Sequence, residues 1–594
     1  MTPKQSKKEL GYTAVLYSKE DAINFLEDQP RAERVYPITP EARAQLLGKT
    51  GLPVLDPLNY FKDYSHRRII ARVRRIEKTL HPMIYKENNL SGASKETYRA
   101  LFHSTANMVF YLWYLLRGTG PWLICHNKSW HYCDDLEKAH RILVMERYTQ
   151  GIGIFRAIKI PTLSFSFLYK LINSWVMLAL NQRSTIWVNS TQRGLKDLIK
   201  HIITVNNKTR ILYLSKIDEN ESGIKYFMRM IIAIILRENE IAIIPTPHHK
   251  KSVNIPIQQL KEIDDSIIQN VLDILSTLIV NTLDYTESFV DCTFDLMRRS
   301  RALAYLSISM RWRENAVLGE AAKINGIKSI LISHGSHSLS YDMPARYEQK
   351  EHAQGLLTSH LATESIIQSV CAEKAAREFM PDLKRQAFQP MIWGHKSIKE
   401  IKENKRIRTI LHAGTYKFLA QRPWIYETSN EFLKGLKQLV KAVSNLDNTR
   451  LIIRVRPNLE CSLDSFRKLL PVNSKTKIKT SGNFLDDLSE ADLLISFSST
   501  TIEEALYARK PVGLFGGSDR YRHLPSGSGD PPSTKNRSAV YNLSKQNLAI
   551  MLNSILHAHA FKPLTDEELN GYIWPLNVPG RDDFVDQIFK INQS

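Results

Sequence analysis

Residues Ala491–His523 read ADLLISFSSTTIEEALYARKPVGLFGGSDRYRH. The apolar run that ends at Ser496 predicts a buried strand, and a helical pattern follows from Thr501 to Ala508. Pro511–Phe515 predicts the next strand. A strand, a helix and a second strand in this order indicate a parallel βαβ unit, in which the first turn lies at the carboxyl edge of the sheet.

The hydroxyl-rich turn of this unit is a candidate anion site. Ser498, Ser499 and Thr500 precede the helix, where free backbone N–H groups and the positive end of the helix dipole favour phosphate. Ligands of doubly wound sheets bind at the same edge. A plainer alternative is a capping box, in which Thr500 and Glu503 only begin the helix.

The same alternation extends in both directions from this unit. Towards the amino terminus, short β-branched strands alternate with helical patterns from Tyr12 onward, among them Ser94–Arg117 and Ile257–Leu283. After a charged connection near residues 391–406 the rhythm restarts. We therefore predict an α/β chain with a first domain at 1–395, a second at 396–560, and closing helices at 561–594. The last of these helices, Asp583–Asn592, is expected to return to the first domain.

The turn, the I-E-E-A-L that follows it and the K-P-V before the next strand resemble the donor half of GT-B glycosyltransferases. This resemblance implies two Rossmann-like domains that face one cleft, with the acceptor side in the first and the nucleotide sugar in the second. It implies that Ser498, Ser499 and Thr500 bind donor phosphates. Glu503 or Glu504 would then bind the ribose.

Two further segments of the second domain fit the same site. RTILHAGTYK, residues 408–417, ends a strand at Gly414 and Thr415, where a small residue permits close approach to a bound group; the alternative is an ordinary strand-to-loop glycine. LIIRVRP, residues 451–457, resembles the position of a His-Pro pair in sialyl-, Kdo- and glycerophosphate transferases, with Arg456 in place of the histidine. Arginine binds phosphate bidentately, so Arg454 and Arg456 are candidate donor ligands, the alternative being solvated strand residues. The missing histidine leaves the nucleotide open, either CMP-linked or diphosphate-linked.

The first domain carries the candidate catalytic group. SILISHGSHSLSYDMP, residues 329–344, resembles the His-Gly of glycerophosphate transferases and capsule-synthesis proteins, which implies that His334 is the general base toward an acceptor hydroxyl. The alternative is a histidine satisfied by loop hydrogen bonds, and His337 is an equally polar neighbour. Asp134 and Asp135, which follow another strand, are the alternative bases. The histidines near these aspartates match no zinc spacing, so no metal site is predicted.

Composition limits the partners and the compartment. The 81 Lys and Arg against 60 Asp and Glu give a charge of +21, which favours an anionic partner. The amino terminus shows no secretory signal, and the apolar runs are too short to span a bilayer, so a cytoplasmic protein is expected. The basic pattern at Asp63–Lys78 predicts a helix with a solvated basic face, which could also lie on anionic lipid.

Together these features predict a metal-independent glycosyltransferase without a cofactor. Its expected partners are a nucleotide-sugar donor, a lipid-linked or polymeric glycan acceptor of surface polysaccharide synthesis, such as capsule or lipopolysaccharide, and the anionic inner leaflet of the membrane. The alternatives are a nucleotide-sugar 2-epimerase of the same fold and a glycerophosphate-type transferase. A nucleic-acid binder ranks last, because no helix-turn-helix, zinc finger or aromatic-basic motif accompanies the charge.

Overall fold

The computed structural model describes residues 11–149, 184–188, 193–214, 240–243, 253, 266–335, 342–393, 407–414, 416, 422, 424–456, 460–471, 473–524, 527–560 and 562–590. In these ranges the strands form three sheets, of four, seven and six strands. None of the helices within the described ranges is long and apolar enough to cross a membrane.

The four-stranded sheet has the order β2-β1-β3-β4, parallel except for the β3-β4 hairpin. The sequence pattern assigned these strands to one Rossmann-like domain together with the strands that follow; in the structure they form a separate sheet, followed by the helices α4 and α5. The elements are β1 Thr13–Leu16, α1 Lys19–Asp28, β2 Arg34–Pro37, α2 Pro40–Leu46, α3 Pro57–Tyr60, α4 Asp63–Asn88, α5 Gly92–Leu116, β3 Trp122–His126, β4 Ser129–Cys133 and α6 Leu136–Thr149.

The seven-stranded sheet is parallel throughout, with the order β11-β10-β9-β8-β5-β6-β7. Its central strands are buried along their whole length, as expected for strands covered by helices on both faces. The elements are β5 Thr185–Val188, α7 Arg193–Val205, β6 Arg210–Leu214, β7 Glu240–Ile243, α8 Ser266–Ser300, β8 Ala304–Ser307, α9 Arg313–Ile324, β9 Lys328–Ile332, α10 Met343–Ala353, β10 Glu364–Ile367, α11 Val370–Phe379 and β11 Arg385–Ala387.

The six-stranded sheet is also parallel, with the order β14-β13-β12-β15-β16-β17. Its elements and the helices that follow agree with the sequence to within a residue or two wherever a strand or helix was predicted, whereas those between residues 540 and 569 were not predicted. They are β12 Arg408–Ala413, α12 Ser429–Ser444, β13 Thr449–Arg454, α13 Leu463–Leu469, β14 Thr476–Lys479, α14 Phe484–Glu490, β15 Leu493–Ser496, α15 Thr501–Tyr507, β16 Val512–Leu514, β17 Val540–Asn542, α16 Leu548–Ala558, α17 Asp566–Leu569 and α18 Arg581–Lys590.

In both large sheets, the direction in which the chain adds successive strands reverses at one point. In the six-stranded sheet the chain runs from β12 outward to β14 and then returns to place β15 on the other side of β12. In the seven-stranded sheet it runs from β5 outward to β7 and returns with β8 beside β5. Such a reversal opens a crevice at the carboxyl ends of the two adjacent strands. The predicted fold class, α/β with two Rossmann-like units, is confirmed.

A buried ion pair of the second half of the chain lies against helix α4 of the first half. Arg520 binds Glu431 of α12 with both terminal nitrogens, and its side chain is only 1% exposed. His66 of α4 lies 3.8 Å from the same carboxylate. Burial alone would raise the pKa of Glu431, but Arg520 and His66 outweigh burial and lower it. The pair is therefore fully charged at neutral pH.

The last helix, α18, packs against the seven-stranded sheet rather than the six-stranded one. Its buried side chains Phe584, Val585 and Ile588 belong to the same apolar cluster as Ile186 of β5. Arg581 donates to the carbonyl of Met391 at 3.0 Å. The end of the chain thus returns to the unit that carries β5.

Arg520→Met should strongly destabilise the protein. The change leaves the Glu431 carboxylate buried without its cation, which typically costs about 3 to 5 kcal/mol. Urea denaturation should show this loss as a lower midpoint. Arg467→Met is the matched control, because Arg467 pairs with Asp464 at the surface, and its loss should cost less than about 1 kcal/mol. Equal losses in the two variants would contradict this account of the interface.

Candidate functional site

The turn after β15 lies at the reversal point of the six-stranded sheet. Ser498, Ser499 and Thr500 are all partly exposed there. The Thr501 hydroxyl donates to the carbonyl of Ala413, the last residue of β12, at 3.4 Å. The loops of the two strands that flank the crevice are thus in direct contact. The structure brings the predicted phosphate turn and Gly414 together.

The capping-box alternative for this turn is wrong. Thr500 is itself in the helical conformation, with φ −60° and ψ −14°, and makes no side-chain capping hydrogen bond. A capping residue needs an extended backbone so that its oxygen can reach the third helical N–H. Instead, Ser499 accepts from the N–H of Thr501 at 3.3 Å. The Thr500 hydroxyl is not used to begin the helix.

Gly414 has no structural need to be a glycine in its described surroundings. A Cβ there would meet His412 and Phe432 at 3.6 Å, an ordinary contact, and its φ is not in the left-handed region. The predicted close approach of a ligand at Gly414 stays a prediction. Thr415, the other predicted residue of this loop, lies outside the described residues.

The two arginines predicted to bind phosphate differ in the structure. Arg454 forms an ion pair with Asp487 and donates to the carbonyl of Gly482 at 2.8 Å. Its guanidinium therefore holds β13 against α14 and the segment before it, so these contacts support a structural role for Arg454. Arg456 follows the end of the same strand with an exposed side chain. It remains a candidate.

The two predicted ribose ligands are also placed differently. Glu503 is 1% exposed and its carboxylate lies 3.6 Å from the ring of His523. Glu504 is partly exposed on the adjacent position of α15. Of the two, Glu504 is better placed to reach a ligand from solvent.

His334 lies at the carboxyl end of β9 and is connected to α15 through one buried glutamine. The side-chain amide of Gln368 donates to the carbonyl of Ser333, the residue before His334. The carbonyl of Gln368 accepts from the hydroxyl of Tyr507, in α15, at 2.8 Å. The strand end that carries the candidate base is thus fixed to the helix that follows the phosphate turn. His337 lies outside the described residues.

Asp134 and Asp135 are not at this location. They follow β4, whose last residue, Cys133, is paired with the first residue of β3 and so lies at the amino edge of the four-stranded sheet. The opposite, carboxyl edge faces the second half of the chain, where Tyr17 donates to Glu460 at 3.1 Å. The structure therefore does not support either aspartate as a base acting with the phosphate turn.

Sequence reasoning missed the buried carboxyl groups around Gly517, although Gly517 lies within the quoted stretch Ala491–His523. A Cβ on Gly517 would lie 1.9 Å from the carbonyl oxygen of Glu431, so only glycine permits this approach to α12. The Gly517 N–H donates to Glu427 at 2.7 Å. The Gly-Gly of LFGGSDR was the available signal, and the structure shows that it serves close packing.

Two groups of histidine and carboxylates have metal-like spacing in the described residues: Asp63, His66 and Glu431, and Glu77, His103 and Glu351. Each is already neutralised by an arginine. Arg520 binds Glu431, and Arg99 lies 3.2 Å from Glu351. A guanidinium on the carboxylate competes directly with a cation, so neither group is a good metal site.

No protein-family model matches the sequence, and no curated protein matches it significantly. Among solved structures, the chain is similar to MnaA of S. aureus with UDP, at 12% identity and a TM-score of 0.40, over 70% of this chain and 98% of the other. It is also similar to UDP-GlcNAc 2-epimerase from Neisseria meningitidis bound to UDP-GlcNAc, at 12% identity and 0.38, over 68% and 100%. MurG of Acinetobacter baumannii gives 10% and 0.35, over 69% and 99%. At these values the similarities carry no argument about activity.

Stability should fall as pH rises, and Glu427→Gln should weaken that fall. Burial raises the pKa of Glu427 from 4.5 to about 8. Between these values the unfolded chain releases a proton that the folded protein keeps, so the free energy of unfolding decreases with pH. The glutamine has no proton to release and can still accept from Gly517.

Urea titrations at about pH 5, 6, 7 and 8 would measure how steeply the free energy of unfolding falls with pH. Glu490→Gln is the control, because Glu490 is an exposed residue paired with Arg450. If the wild type and Glu427→Gln have the same slope, the assignment of a buried neutral Glu427 is incorrect.

Proposed function

We propose that the protein is a glycosyltransferase that transfers a sugar from a nucleotide-activated donor to a lipid-linked or polymeric glycan acceptor of surface polysaccharide synthesis. The observation that carries the proposal is the crevice between β12 and β15. Its hydroxyl turn makes no capping box, and the helix that follows the turn is fixed to the strand end of His334. The site thus combines phosphate-binding groups with a candidate base.

The donor would bind with its phosphates at Ser498, Ser499 and Thr500. These residues are partly exposed, and Gly414 follows the adjacent strand β12, whose last residue, Ala413, accepts from Thr501. Arg456, exposed at the end of β13, supplies positive charge at the same edge of the sheet. Glu504 is the proposed ribose ligand, because carboxylates accept hydrogen bonds from both ribose hydroxyls.

His334 is the proposed general base. Its backbone N–H donates to the carbonyl of Leu356 at 2.9 Å, which fixes the residue at the end of β9. An imidazole titrates near neutral pH and can accept the proton of an acceptor hydroxyl as the sugar is transferred. The acceptor would therefore bind on the side of the seven-stranded sheet, opposite the nucleotide.

Replacing Ser499 with Ala should weaken nucleotide binding about tenfold or more, because a hydrogen bond to a charged phosphate is lost. Arg456→Ala should act in the same direction. His334→Ala should keep nucleotide affinity and suppress sugar transfer, since a base acts on the acceptor and not on the nucleotide.

Calorimetric titration with the nucleotide that most raises the melting temperature in a screen would measure the affinities. Ser444→Ala is the control, because Ser444 only donates to a carbonyl at the end of α12. Unchanged affinity in both Ser499→Ala and Arg456→Ala would refute the donor site. Formation of a 2-epimer without any transfer would favour the epimerase alternative.

Peripheral attachment to anionic membrane is proposed from the charge of +21 and from α4. That helix buries Ile69, Ile70, Val73 and Ile76 and exposes Arg68, Arg75 and Lys78. Vesicles that contain phosphatidylserine should retain the protein at low salt and release it at high salt. Changing the three exposed cations to Gln should weaken retention. A protein that floats free of such vesicles at low salt would contradict the proposal.

A further inference from the structure

Two buried arginines from opposite halves of the chain converge on one histidine. Arg311 is 7% exposed and follows β8, the strand at the reversal point of the seven-stranded sheet. Arg422 is 4% exposed and lies between β12 and α12, in the other unit. Arg311 Nη1 lies 3.1 Å from His352 Nδ1, and Arg422 Nε lies 3.4 Å from the same nitrogen.

The position of Arg311 is closely determined by its backbone surroundings. The N–H of Met310 donates to the carbonyl of Gly355 at 2.7 Å. Gly355 has a φ of +76°, and a Cβ on it would lie 2.3 Å from Cγ of Arg311. A side chain at residue 355 would therefore displace the arginine. The local fold is built to lay this guanidinium against His352.

His352 cannot neutralise the two cations. A guanidinium only donates hydrogen bonds, so Nδ1 must act as an acceptor and carry no proton. The other nitrogen, Nε2, lies 2.6 Å from the hydroxyl of Tyr426. With Nδ1 unprotonated the ring is neutral, and the two positive charges remain.

Nearby carboxylates are already paired with other groups. Glu351 lies 3.0 Å from His103 and 3.2 Å from Arg99, which also binds Glu96. Among the residues that the structure describes, neither Arg311 nor Arg422 forms an ion pair with a carboxylate. Burial, and after it the charges of Arg422 and Arg99, lower the pKa of Arg311 to about 9. Within the described part of the chain, the two like charges are thus held away from water with no carboxylate in direct contact, although Glu351 and Glu96 act favourably on Arg311 from a distance.

We infer that Arg311 and Arg422 bind a phosphate group of the substrate between the two units. Guanidinium groups match phosphate oxygens in pairs, and two of them together supply the charge and donors that a phosphate requires. The pair is close to the candidate base, because His334 donates to Leu356, next to Gly355. The inference rests on the proposed function insofar as the phosphate belongs to the nucleotide sugar or to a phosphorylated acceptor.

The test uses the full chain and inorganic pyrophosphate, which needs neither sugar nor base to bind. Arg311→Gln and Arg422→Gln should each lower pyrophosphate affinity about tenfold or more in calorimetric titration. Arg377→Gln is the control for net charge, because Arg377 is a surface residue with a 72% exposed side chain. Its affinity should change less than about twofold.

Thermal unfolding without ligand separates a binding role from a structural one. Because each substitution removes a like-charge repulsion, the unliganded variants should melt at or above the wild-type temperature. Pyrophosphate should then raise the melting temperature of the wild type and of Arg377→Gln, but not of the other two. Loss of stability comparable to Arg520→Met, or unchanged pyrophosphate affinity, would overturn the inference.

Titration with UDP and with geranyl diphosphate identifies the substrate that carries the phosphate. If Arg422→Gln weakens the binding of UDP, the arginine pair binds the donor. If it weakens the binding of geranyl diphosphate and leaves UDP affinity unchanged, the pair binds a lipid-linked acceptor. Each result supports the anion site. If pyrophosphate binding depends on the pair but no nucleotide binds, the inference stands and the proposed function fails. If a nucleotide binds through Ser499 but pyrophosphate affinity is unchanged in Arg311→Gln and Arg422→Gln, the proposed function stands and the inference fails.

Discussion

The guanidinium of Arg520 fixes the segment of the second half of the chain that contacts the first half. It neutralises Glu431 and donates to the carbonyls of Trp424 and Tyr426, at 3.2 and 2.8 Å. The N–H groups of Trp424 and Ile425 in turn donate to Glu348 of α10. The segment that carries Arg422 is therefore held from both sides. A buried arginine is tolerated here because its charge and its donors are fully used.

The same contact positions the reacting edges. Residues 424–426 are fixed in this way, and Gln368 adds a second connection, from Ser333 at the end of β9 to Tyr507 at the end of α15. Gln368 is fully buried, and its Oε1 also accepts from the N–H of Ile392 at 3.2 Å. The side chain of Gln368 thus satisfies the backbone of two segments of the first half, at Ser333 and at 391–392, while its backbone carbonyl accepts from Tyr507 of the second half.

Local pattern was sufficient for β12, β13, β15 and β16, because each is a short apolar run between a helix and a turn, whereas β17 was not predicted. It was insufficient where polar residues are buried. Helix α8 was expected to end at Leu283 but continues to Ser300, since Asp284 and Glu287 accept from backbone N–H groups at Val253 and Ser91 instead of facing solvent. The pairing of Glu431 with Arg520, 89 positions apart, has no local signal at all.

The T-x-x-E motif shows why the same limit applies to the site. At Thr428–Glu431 it forms a capping box, because Thr428 is extended. At Thr500–Glu503 it forms none, because Thr500 is helical. The distinction lies in the backbone conformation, which the motif alone does not reveal.

The two buried arginine arrangements differ in a similar way. Arg520 is paired with Glu431, whereas Arg311 and Arg422 share a neutral histidine. Charge that is matched within the protein stabilises the fold, and charge that is left unmatched at a crevice is available to a ligand.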